Sequence, residues 1–319
     1  MSSVLVVGAG AWGTALALQA ARAGRKVTLW ARDPAGAAMI AASRENPRLP
    51  GVQLPAPITV SDALAPAEIV LLVMPMQHLR RMAPTLPTGL LVACCKGMET
   101  GSGALPLDVL AVALPGRPAC VLTGPNFAHE VAAGLPAAAV VAGADPAARA
   151  AAIAALATPD FRLYGNDDAI GAQVGGAAKN VIALAAGAVI GAGLGENARA
   201  ALVTRGLAEM ARLAVALGGR ADTVAGLSGL GDLLLTCTGP SSRNFSLGVA
   251  LGHGRPIAEV LAGRSTVTEG VATAPALVAR AASLGVELPI AGVVAAVVQG
   301  RLSVREAMTH LLARPLRDE

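Results

Sequence analysis

Lysine is rare in this sequence, where it supplies three of 25 basic residues and arginine supplies the others. Arginine stays protonated at ordinary pH, whereas a partly buried lysine amine can exchange a proton. Lys179 lies between a glycine-alanine segment and an apolar run from Val181 to Leu194. Burial in so apolar a helix lowers the pKa of the amine towards the range useful for general acid-base catalysis, unless a carboxylate or phosphate compensates. The alternative is an amine that reaches the surface from the start of the helix.

The other two lysines have different settings. Lys96 follows an apolar strand predicted over Leu90 to Cys95. It therefore lies at the carboxyl end of a strand, where ligands bind in open parallel sheets. Lys26 follows Gly24-Arg25 and is expected to be an ordinary solvated residue.

The chain opens with an apolar run, Val4 to Val7, which leads into Gly8-Ala9-Gly10-Ala11-Trp12-Gly13 and then an alanine-rich helical stretch. This strand, glycine turn and helix form the fingerprint of a dinucleotide site, in which a pyrophosphate rests on the helix N-terminus. Gly8 permits the tight turn, Gly10 the approach of the phosphate, and Gly13 the packing of helix on strand. The alternative is a glycine-rich connection without a ligand.

Arg32-Asp33-Pro34 comes just after the second predicted strand, about 20 residues after the glycines. An acidic residue at this place binds the ribose hydroxyls of NAD, whereas an arginine accommodates the 2'-phosphate of NADP. Asp33 before Pro34 is typical of a helix N-cap followed by proline at the first helical position. Arg32 therefore favours NADP over NAD, with a merely solvated arginine as the alternative.

The elements that position these residues change character near residue 170. The first part alternates strands with helices, a pattern that predicts a doubly wound, Rossmann-like parallel sheet. The predicted strands are Val4–Gly8, Lys26–Trp30, Ile58–Val60, Ile69–Met74, Leu90–Cys95, Ala119–Leu122, Ala138–Ala142 and Phe161–Tyr164. Beyond the change the pattern is helical only. We predict a dinucleotide-binding α/β domain at 1–170 and an all-α substrate-binding domain at 171–319.

Composition restricts the class of protein further. A mean hydropathy of +0.59 comes mostly from alanine and glycine, and the longest small-apolar run of about 14 residues is shorter than the ~20 of a spanning helix. We expect no integral membrane protein. A net charge of +4 and 2% aromatic residues argue against nucleic-acid binding. Four cysteines without metal-like spacing predict buried thiols and no metal site, and the lack of an export signal predicts a cytoplasmic protein.

Seven motifs occur in an order that resembles the bacterial NAD(P)-dependent glycerol-3-phosphate dehydrogenases over nearly the whole chain. They are Gly8–Thr14, Cys95-Lys96-Gly97, Gly124-Pro125-Asn126-Phe127-Ala128, Gly175–Asn180, Gly229–Leu233, Ser242-Arg243-Asn244 and Val267-Thr268-Glu269-Gly270. The resemblance implies reduction of dihydroxyacetone phosphate to sn-glycerol 3-phosphate with NADPH or NADH, supplying phospholipid synthesis. It also implies a helical domain like that of 6-phosphogluconate dehydrogenase, and a homodimer.

The resemblance also implies a role for each motif. Lys179 is the general acid/base, Lys96 its companion at the substrate, and Asp232 orients an amine. The substrate contacts are Lys96, Gly124, Asn126, Lys179, Asp232, Ser242, Arg243 and Asn244. The cofactor contacts are Gly8, Gly10, Ala11, Trp12, Gly13, Arg32, Lys96, Ala128, Arg243, Val267 and Glu269. Asn126 stands where the family commonly has serine or threonine, which puts its contact in doubt.

Simpler structural roles are open for several of these residues. Asp232 and Ser242 are also suited to capping helices. With Ser242 as a cap, Arg243 is merely solvated. Independently of the caps, Trp12 is suited to core packing and Glu269 to a solvated helix end. Two other functions compete: a related hydroxyacid or sugar-phosphate dehydrogenase, and a redox sensor that binds the dinucleotide without turnover. The hydroxyl, guanidinium and amide of 242–244 suit phosphate oxygens and favour a phosphorylated substrate.

Overall fold

The structure, a computed structural model, describes residues 3–263 and 268–315. Within this part the chain forms two compact units. The first runs to Lys96 and resumes over Leu105–Ala172, and the second comprises Gly97–Ala104 and the chain from Gln173 onward. The sequence prediction divides the chain after residue 170 and assigns 97–104 to the first domain.

The first unit is built on one eight-stranded sheet. Its strands are β1 (Ser3–Val7), β2 (Lys26–Trp30), β3 (Ile58–Ser61), β4 (Ile69–Leu72), β5 (Leu90–Ala93), β6 (Ala119–Thr123), β7 (Ala137–Ala142) and β8 (Phe161–Asn166). Their order in space is β3-β2-β1-β4-β5-β6-β7-β8. The order reverses at β1 and β4, as in a doubly wound dinucleotide fold. All eight predicted strands are present, with ends that differ by up to two residues.

Six α-helices accompany this sheet: α1 (Ala11–Arg22), α2 (Pro34–Ser43), α3 (Leu79–Met82), α4 (Pro106–Ala113), α5 (Ala128–Ala133) and α6 (Pro146–Leu156). Asp33 caps α2 by accepting a hydrogen bond from the Gly36 N–H at 2.9 Å, which confirms the predicted cap. The core between sheet and helices is aliphatic, with Leu16, Leu29 and Leu71 among its fully buried side chains.

The sheet is not wholly parallel, which corrects the sequence prediction. β7 runs antiparallel to β6, while the other neighbouring strands are parallel. The connection contains only α5, a helix of six residues and so about 9 Å in length. The sequence prediction lacked this reversal, because alternating strands and helices favour parallel neighbours throughout a sheet.

The second unit is helical. It contains the larger part of α7 (Ala169–Gly191), then α8 (Gly195–Ala216), α9 (Ala221–Ala225), α10 (Asp232–Cys237), α11 (Arg243–Gly252), α12 (Ile257–Ala262), α13 (Glu269–Ala282), α14 (Pro289–Val298) and α15 (Val304–Leu312). Within 3–263 and 268–315, α7 alone is long and apolar enough to cross a membrane. Yet 83% of its most apolar 18-residue stretch is buried inside the protein. This burial agrees with the prediction of a buried helix here.

Helices α7 and α11 cross with their backbones almost in contact. Four glycines make this approach possible: Gly187 and Gly191 on α7, and Gly248 and Gly252 on α11. A Cβ atom added at Gly248 would lie 2.1 Å from the carbonyl oxygen of Leu184, and the other three positions are equally crowded by backbone atoms. Real Cβ contacts are never so short, so only glycine fits this crossing. The crossing fixes the positions of the two segments that carry Lys179 and Ser242–Asn244.

A buried carboxylate stabilises the start of α14. The residue before this helix, Leu288, offers no capping side chain. Glu209 on α8 takes that role and accepts hydrogen bonds from the N–H groups of Ile290 at 2.6 Å and Ala291 at 3.1 Å. Burial raises the pKa of Glu209 above its ordinary value, and the two backbone N–H groups oppose that rise.

Candidate active site

The glycine turn of the first unit has the geometry that a phosphate-binding turn requires. Gly8 has φ +125°, and a Cβ atom there would lie 2.5 Å from the carbonyl oxygen of Val73. A Cβ atom at Gly13 would lie 1.9 Å from the oxygen of Gly8, so helix and turn approach as predicted. At Gly10 a Cβ atom would meet no protein atom within 4 Å. The space over the turn is therefore open. The N–H groups of the first helical residues, Ala11 to Gly13, have no acceptor within α1.

Two further residues named for the cofactor are Trp12, inside the glycine motif, and Arg32, 19 residues after Gly13. Arg32 is the second residue after β2 and is exposed, so its guanidinium can reach a ligand from solvent. Trp12 is half-buried and packs against the hydrophobic core of the first unit. Core packing thus accounts for part of the Trp12 side chain, and the remainder stays accessible beside the turn.

Lys96 lies beyond the end of β5, which stops at Ala93. Its amine donates a hydrogen bond to the carbonyl oxygen of Gly124 at 3.2 Å. Gly124 has φ +147°, and a Cβ atom there would lie 2.9 Å from the Cα atom of Ala139. The motifs that contain Lys96 and Gly124 therefore meet, although 28 residues separate them in sequence.

The motif around Gly124 continues into Asn126 and Ala128, which begins α5. The Asn126 amide nitrogen donates to the carbonyl oxygen of Ala138 at 3.2 Å. The Asn126 amide oxygen is buried and has no hydrogen-bond partner in the described part of the chain. A buried acceptor without a donor is costly unless a ligand or water completes it. Asn126 is therefore suited to accept a hydrogen bond from a ligand hydroxyl or a water.

Lys179 is the central residue of the second unit's site. Its side chain is buried, with 7% of the residue exposed, and its amine donates hydrogen bonds to Asp232 Oδ1 and, at 2.9 Å, to Thr236 Oγ1. The Thr236 hydroxyl in turn donates to the backbone oxygen of Asp232 at 2.6 Å. Asp232 is 1% exposed. A buried amine needs such a counter-charge and hydrogen bonds to remain charged.

This geometry excludes the solvated position considered for Lys179 and the N-cap position considered for Asp232. The lysine does not reach the surface, and Asp232 is the first residue of α10, whose N-cap is Gly231. Close packing brings the two helices together: a Cβ atom at Gly175 on α7 would lie 2.5 Å from the carbonyl oxygen of Ser228. The glycines of both motifs therefore allow Lys179 to reach the carboxylate.

A second polar network joins α7, α11 and α13. The Asn244 amide nitrogen donates to Asn180 Oδ1 at 2.9 Å, and the Gly270 N–H donates to Asn244 Oδ1 at 3.0 Å. Because each oxygen accepts from an N–H group, the orientation of both amides is defined. A Cβ atom at Gly270 would lie 2.7 Å from the backbone oxygen of Asn180 as well as 2.7 Å from Asn244 Oδ1, so glycine is required here. Glu269 begins the same helix.

The start of α11 is suited to a phosphate. Ser242 is its N-cap and accepts a hydrogen bond from the Phe245 N–H at 3.2 Å, so the capping role considered from the sequence is present. A hydroxyl that accepts at a cap can still donate its own proton. Arg243 is exposed, and Asn244 is buried. A helix N-terminus with a hydroxyl, an amide and a guanidinium attracts an anion by dipole and by charge.

Four outcomes remain for residues that the sequence analysis named or missed. Val267 lies outside the described residues. Thr236 was missed, although a threonine one helical turn after Asp232 shares its face and could have been noticed. Among residues 3–263 and 268–315, no three His, Cys, Asp or Glu side chains group as metal ligands would. The four cysteines are buried free thiols, as predicted.

Comparison with known proteins assigns both halves of the chain to one family. Residues 3–149 match the model of the NAD-dependent glycerol-3-phosphate dehydrogenase N-terminus, and residues 168–309 match that of its C-terminus. The chain belongs to the NAD-dependent glycerol-3-phosphate dehydrogenase family. This membership confirms the resemblance carried by the seven motifs.

Individual members of the glycerol-3-phosphate dehydrogenase family are similar over most of their length. The chain is 50% identical over 320 residues to glycerol-3-phosphate dehydrogenase [NAD(P)+] 1 of Sphingopyxis alaskensis, with 98% of this chain and 97% of that protein covered. It is 54% identical over 273 residues to the Gluconobacter oxydans enzyme, with 84% and 83% covered. A crystal structure of glycerol-3-phosphate dehydrogenase from Coxiella burnetii has a TM-score of 0.93 at 36% identity, with 98% and 99% covered.

Proposed function

We propose that the protein catalyses the reversible reduction of dihydroxyacetone phosphate to sn-glycerol 3-phosphate, with NADH or NADPH as the reductant. Family membership supports the reaction and the NAD(P) dependence. The observation that carries the proposal is the buried amine of Lys179, held by Asp232 and Thr236. Such an amine can give up a proton and take it back, which ketone reduction and alcohol oxidation require in turn.

The residues of the glycine turn fit the dinucleotide, because the space over Gly10 is open and the start of α1 faces a pyrophosphate favourably. When bound, the nicotinamide supplies the hydride that adds to the carbonyl carbon. As that bond forms, the carbonyl electron pair moves to oxygen, and Lys179 Nζ donates a proton to that oxygen. Asp232 stabilises the charged amine before the transfer. In the reverse direction Lys179 accepts the hydroxyl proton.

The remaining site residues are assigned to binding. We propose that Lys96 donates a hydrogen bond to the substrate and stabilises the developing alkoxide by its charge. The phosphate is bound at the start of α11, where Ser242, Arg243 and Asn244 provide donors. Gly124 and Asn126 line the substrate pocket. The proposed cofactor contacts are Gly8, Gly10, Ala11, Trp12, Gly13, Arg32, Lys96, Ala128, Arg243, Val267 and Glu269.

The cofactor preference and the cellular setting are also part of the proposal. Arg32 is exposed next to β2 and favours NADP by offering a partner for the 2'-phosphate.

We propose that the protein acts in the cytoplasm as a homodimer and that its product enters glycerophospholipid synthesis. The family relationship supports these three assignments.

A spectrophotometric assay tests the reaction. The purified protein is given NADPH or NADH with dihydroxyacetone phosphate, and with dihydroxyacetone as the matched substrate that lacks the phosphate. We expect oxidation of the reduced cofactor with the phosphorylated ketone and at least ~10²-fold lower kcat/KM without the phosphate. Binding of the cofactor without turnover would favour the redox sensor. Equal rates with both ketones would exclude a phosphate site at α11.

A further inference from the structure

The carbonyl groups of the glycine turn are tied back by side chains. A turn that binds pyrophosphate must present N–H groups and keep its carbonyl oxygens away, because those oxygens repel an anion. Here Gly10 O accepts hydrogen bonds from both the N–H and the hydroxyl of Thr14, each at 2.9 Å. Ala9 O accepts from the Asn46 amide nitrogen at 3.1 Å. Both carbonyls between the first glycine and α1 therefore have protein donors.

Asn46 is the residue that links these bonds. It is 1% exposed and lies 32 residues after Thr14 in the sequence. Its amide nitrogen also donates to the Thr14 hydroxyl at 2.7 Å, and its amide oxygen accepts from the Arg48 N–H at 3.0 Å. The Thr14 hydroxyl therefore accepts a hydrogen bond from Asn46 and donates one to Gly10 O. The direction of each bond is fixed, since every amide atom of Asn46 has a complementary partner.

The segment that carries Asn46 is itself firmly held. Arg44 ends α2 in the left-handed conformation with φ 57°, and its guanidinium donates to the carbonyl oxygens of Leu54 at 3.0 Å and Pro55 at 2.6 Å. The Gly51 N–H donates to Glu45 Oε1 at 2.7 Å. These bonds close the segment between α2 and β3 on itself. Asn46 is thus in place before any ligand arrives, which lowers the entropic cost of binding.

We propose that Asn46, acting through Thr14, is a positioning residue for the dinucleotide: it turns the carbonyls of the glycine turn away so that the N–H groups of α1 face the pyrophosphate. This inference rests on the proposed function and deepens it. Asn46 does not touch the reacting atoms. Its effect is on affinity for ligands that contain a pyrophosphate.

Four variants separate this role from simple stabilisation. Asn46→Ala removes the donors, and Asn46→Asp replaces them by an anionic acceptor facing the oxygens of Ala9 and Thr14. Thr14→Val removes the relay hydroxyl, and Thr14→Ser retains it. Because a lost hydrogen bond in such a network weakens binding by about tenfold, we expect Asn46→Ala and Thr14→Val to raise the Kd of ADP-ribose and NADH about tenfold. Asn46→Asp has a larger effect, and Thr14→Ser stays within about twofold of the wild type.

The readouts are calorimetric Kd values, KM for the cofactor at saturating dihydroxyacetone phosphate, and kcat and KM for dihydroxyacetone phosphate at saturating cofactor. The inference requires that KM for the cofactor rises while kcat and KM for dihydroxyacetone phosphate stay near wild type. Leu110→Ala serves as the control, because it opens a cavity in the core at α4 without touching the turn, and its cofactor Kd should not change. Unchanged Kd values in Asn46→Asp and Thr14→Val would overturn this inference and leave the proposed function standing. A wild-type protein that binds neither ADP-ribose nor NADH would instead overturn the cofactor assignment, and the inference with it.

Discussion

The crossing of α7 and α11 offers a strong test of how packing positions the site. In Gly248→Ala the new Cβ atom would lie 2.1 Å from the carbonyl oxygen of Leu184 and 2.9 Å from the Ala188 nitrogen. Backbone atoms cannot rotate away, so the helices must separate by about 1 Å to restore a normal contact. Overpacking of this kind destabilises a protein by ~1–3 kcal/mol.

The separation acts on the site through the amide network. The Asn180–Asn244 hydrogen bond joins the same two helices and measures 2.9 Å. Lengthening it by about 1 Å breaks it, since a contact beyond about 3.5 Å is no hydrogen bond. A displacement of this size near a reacting group lowers rates by about 10²-fold. We therefore expect Gly248→Ala to lower kcat/KM for dihydroxyacetone phosphate by about 10- to 100-fold.

Steady-state kinetics and thermal unfolding measure the two effects, and Gly292→Ala is the matched control. Gly292 lies inside α14, and a Cβ atom there would meet nothing within 4 Å. The same substitution should raise the free energy of unfolding by up to ~1 kcal/mol through helix propensity and leave kcat/KM unchanged. If Gly248→Ala kept wild-type kcat/KM, or if the two variants behaved alike, the argument from the crossing would be refuted.

Three further predictions concern single groups. Arg32→Ala should raise KM for NADPH about fivefold or more and leave KM for NADH unchanged, because only NADPH has a 2'-phosphate. If the ratio of these two KM values did not change, Arg32 would be merely solvated. Thr236→Val should lower kcat about tenfold, because it removes an acceptor for the buried amine of Lys179, while Thr236→Ser should retain activity. Equal kcat values in the two variants would contradict this role of Thr236. Burial raises the pKa of Cys94 and brings those of Cys120 and Cys237 to about 11 and about 12. At pH 8 the thiolate fraction of the last two is then about 10⁻³ or less. Alkylation should spare all three thiols in the native protein and label them after denaturation, whereas fast native labelling would contradict their burial.

Local features of the fold were predictable from the sequence. The eight strands are short apolar runs bounded by breakers, and Asp33-Pro34 carries its own capping signal. The direction of β7 was not predictable, because β6 and β7 are short apolar runs whose composition does not distinguish antiparallel from parallel pairing. The extent of β5 was overestimated, since the apolar cysteines 94 and 95 continue the pattern after the pairing has ended.

The candidate site was predictable to a similar degree. The apolar surroundings of Lys179 indicated its burial, and its family motif indicated its role. Its partner Thr236 lies 57 residues away, and the contact exists only because α10 packs against α7. The Asn180–Asn244 pair spans 64 residues for the same reason. No local pattern encodes such contacts, since they follow from the glycines that let the helix backbones approach.

The account depends most directly on the proton carried by Lys179. The decisive measurement is the turnover of Lys179→Ala with dihydroxyacetone phosphate, alone and with a small primary amine added, alongside Lys26→Ala as the control at an exposed lysine. We expect kcat to fall by about 10²- to 10⁴-fold in Lys179→Ala, with cofactor binding retained, partial recovery in the presence of the amine, and no change in Lys26→Ala. Turnover near the wild-type rate in Lys179→Ala would contradict the account.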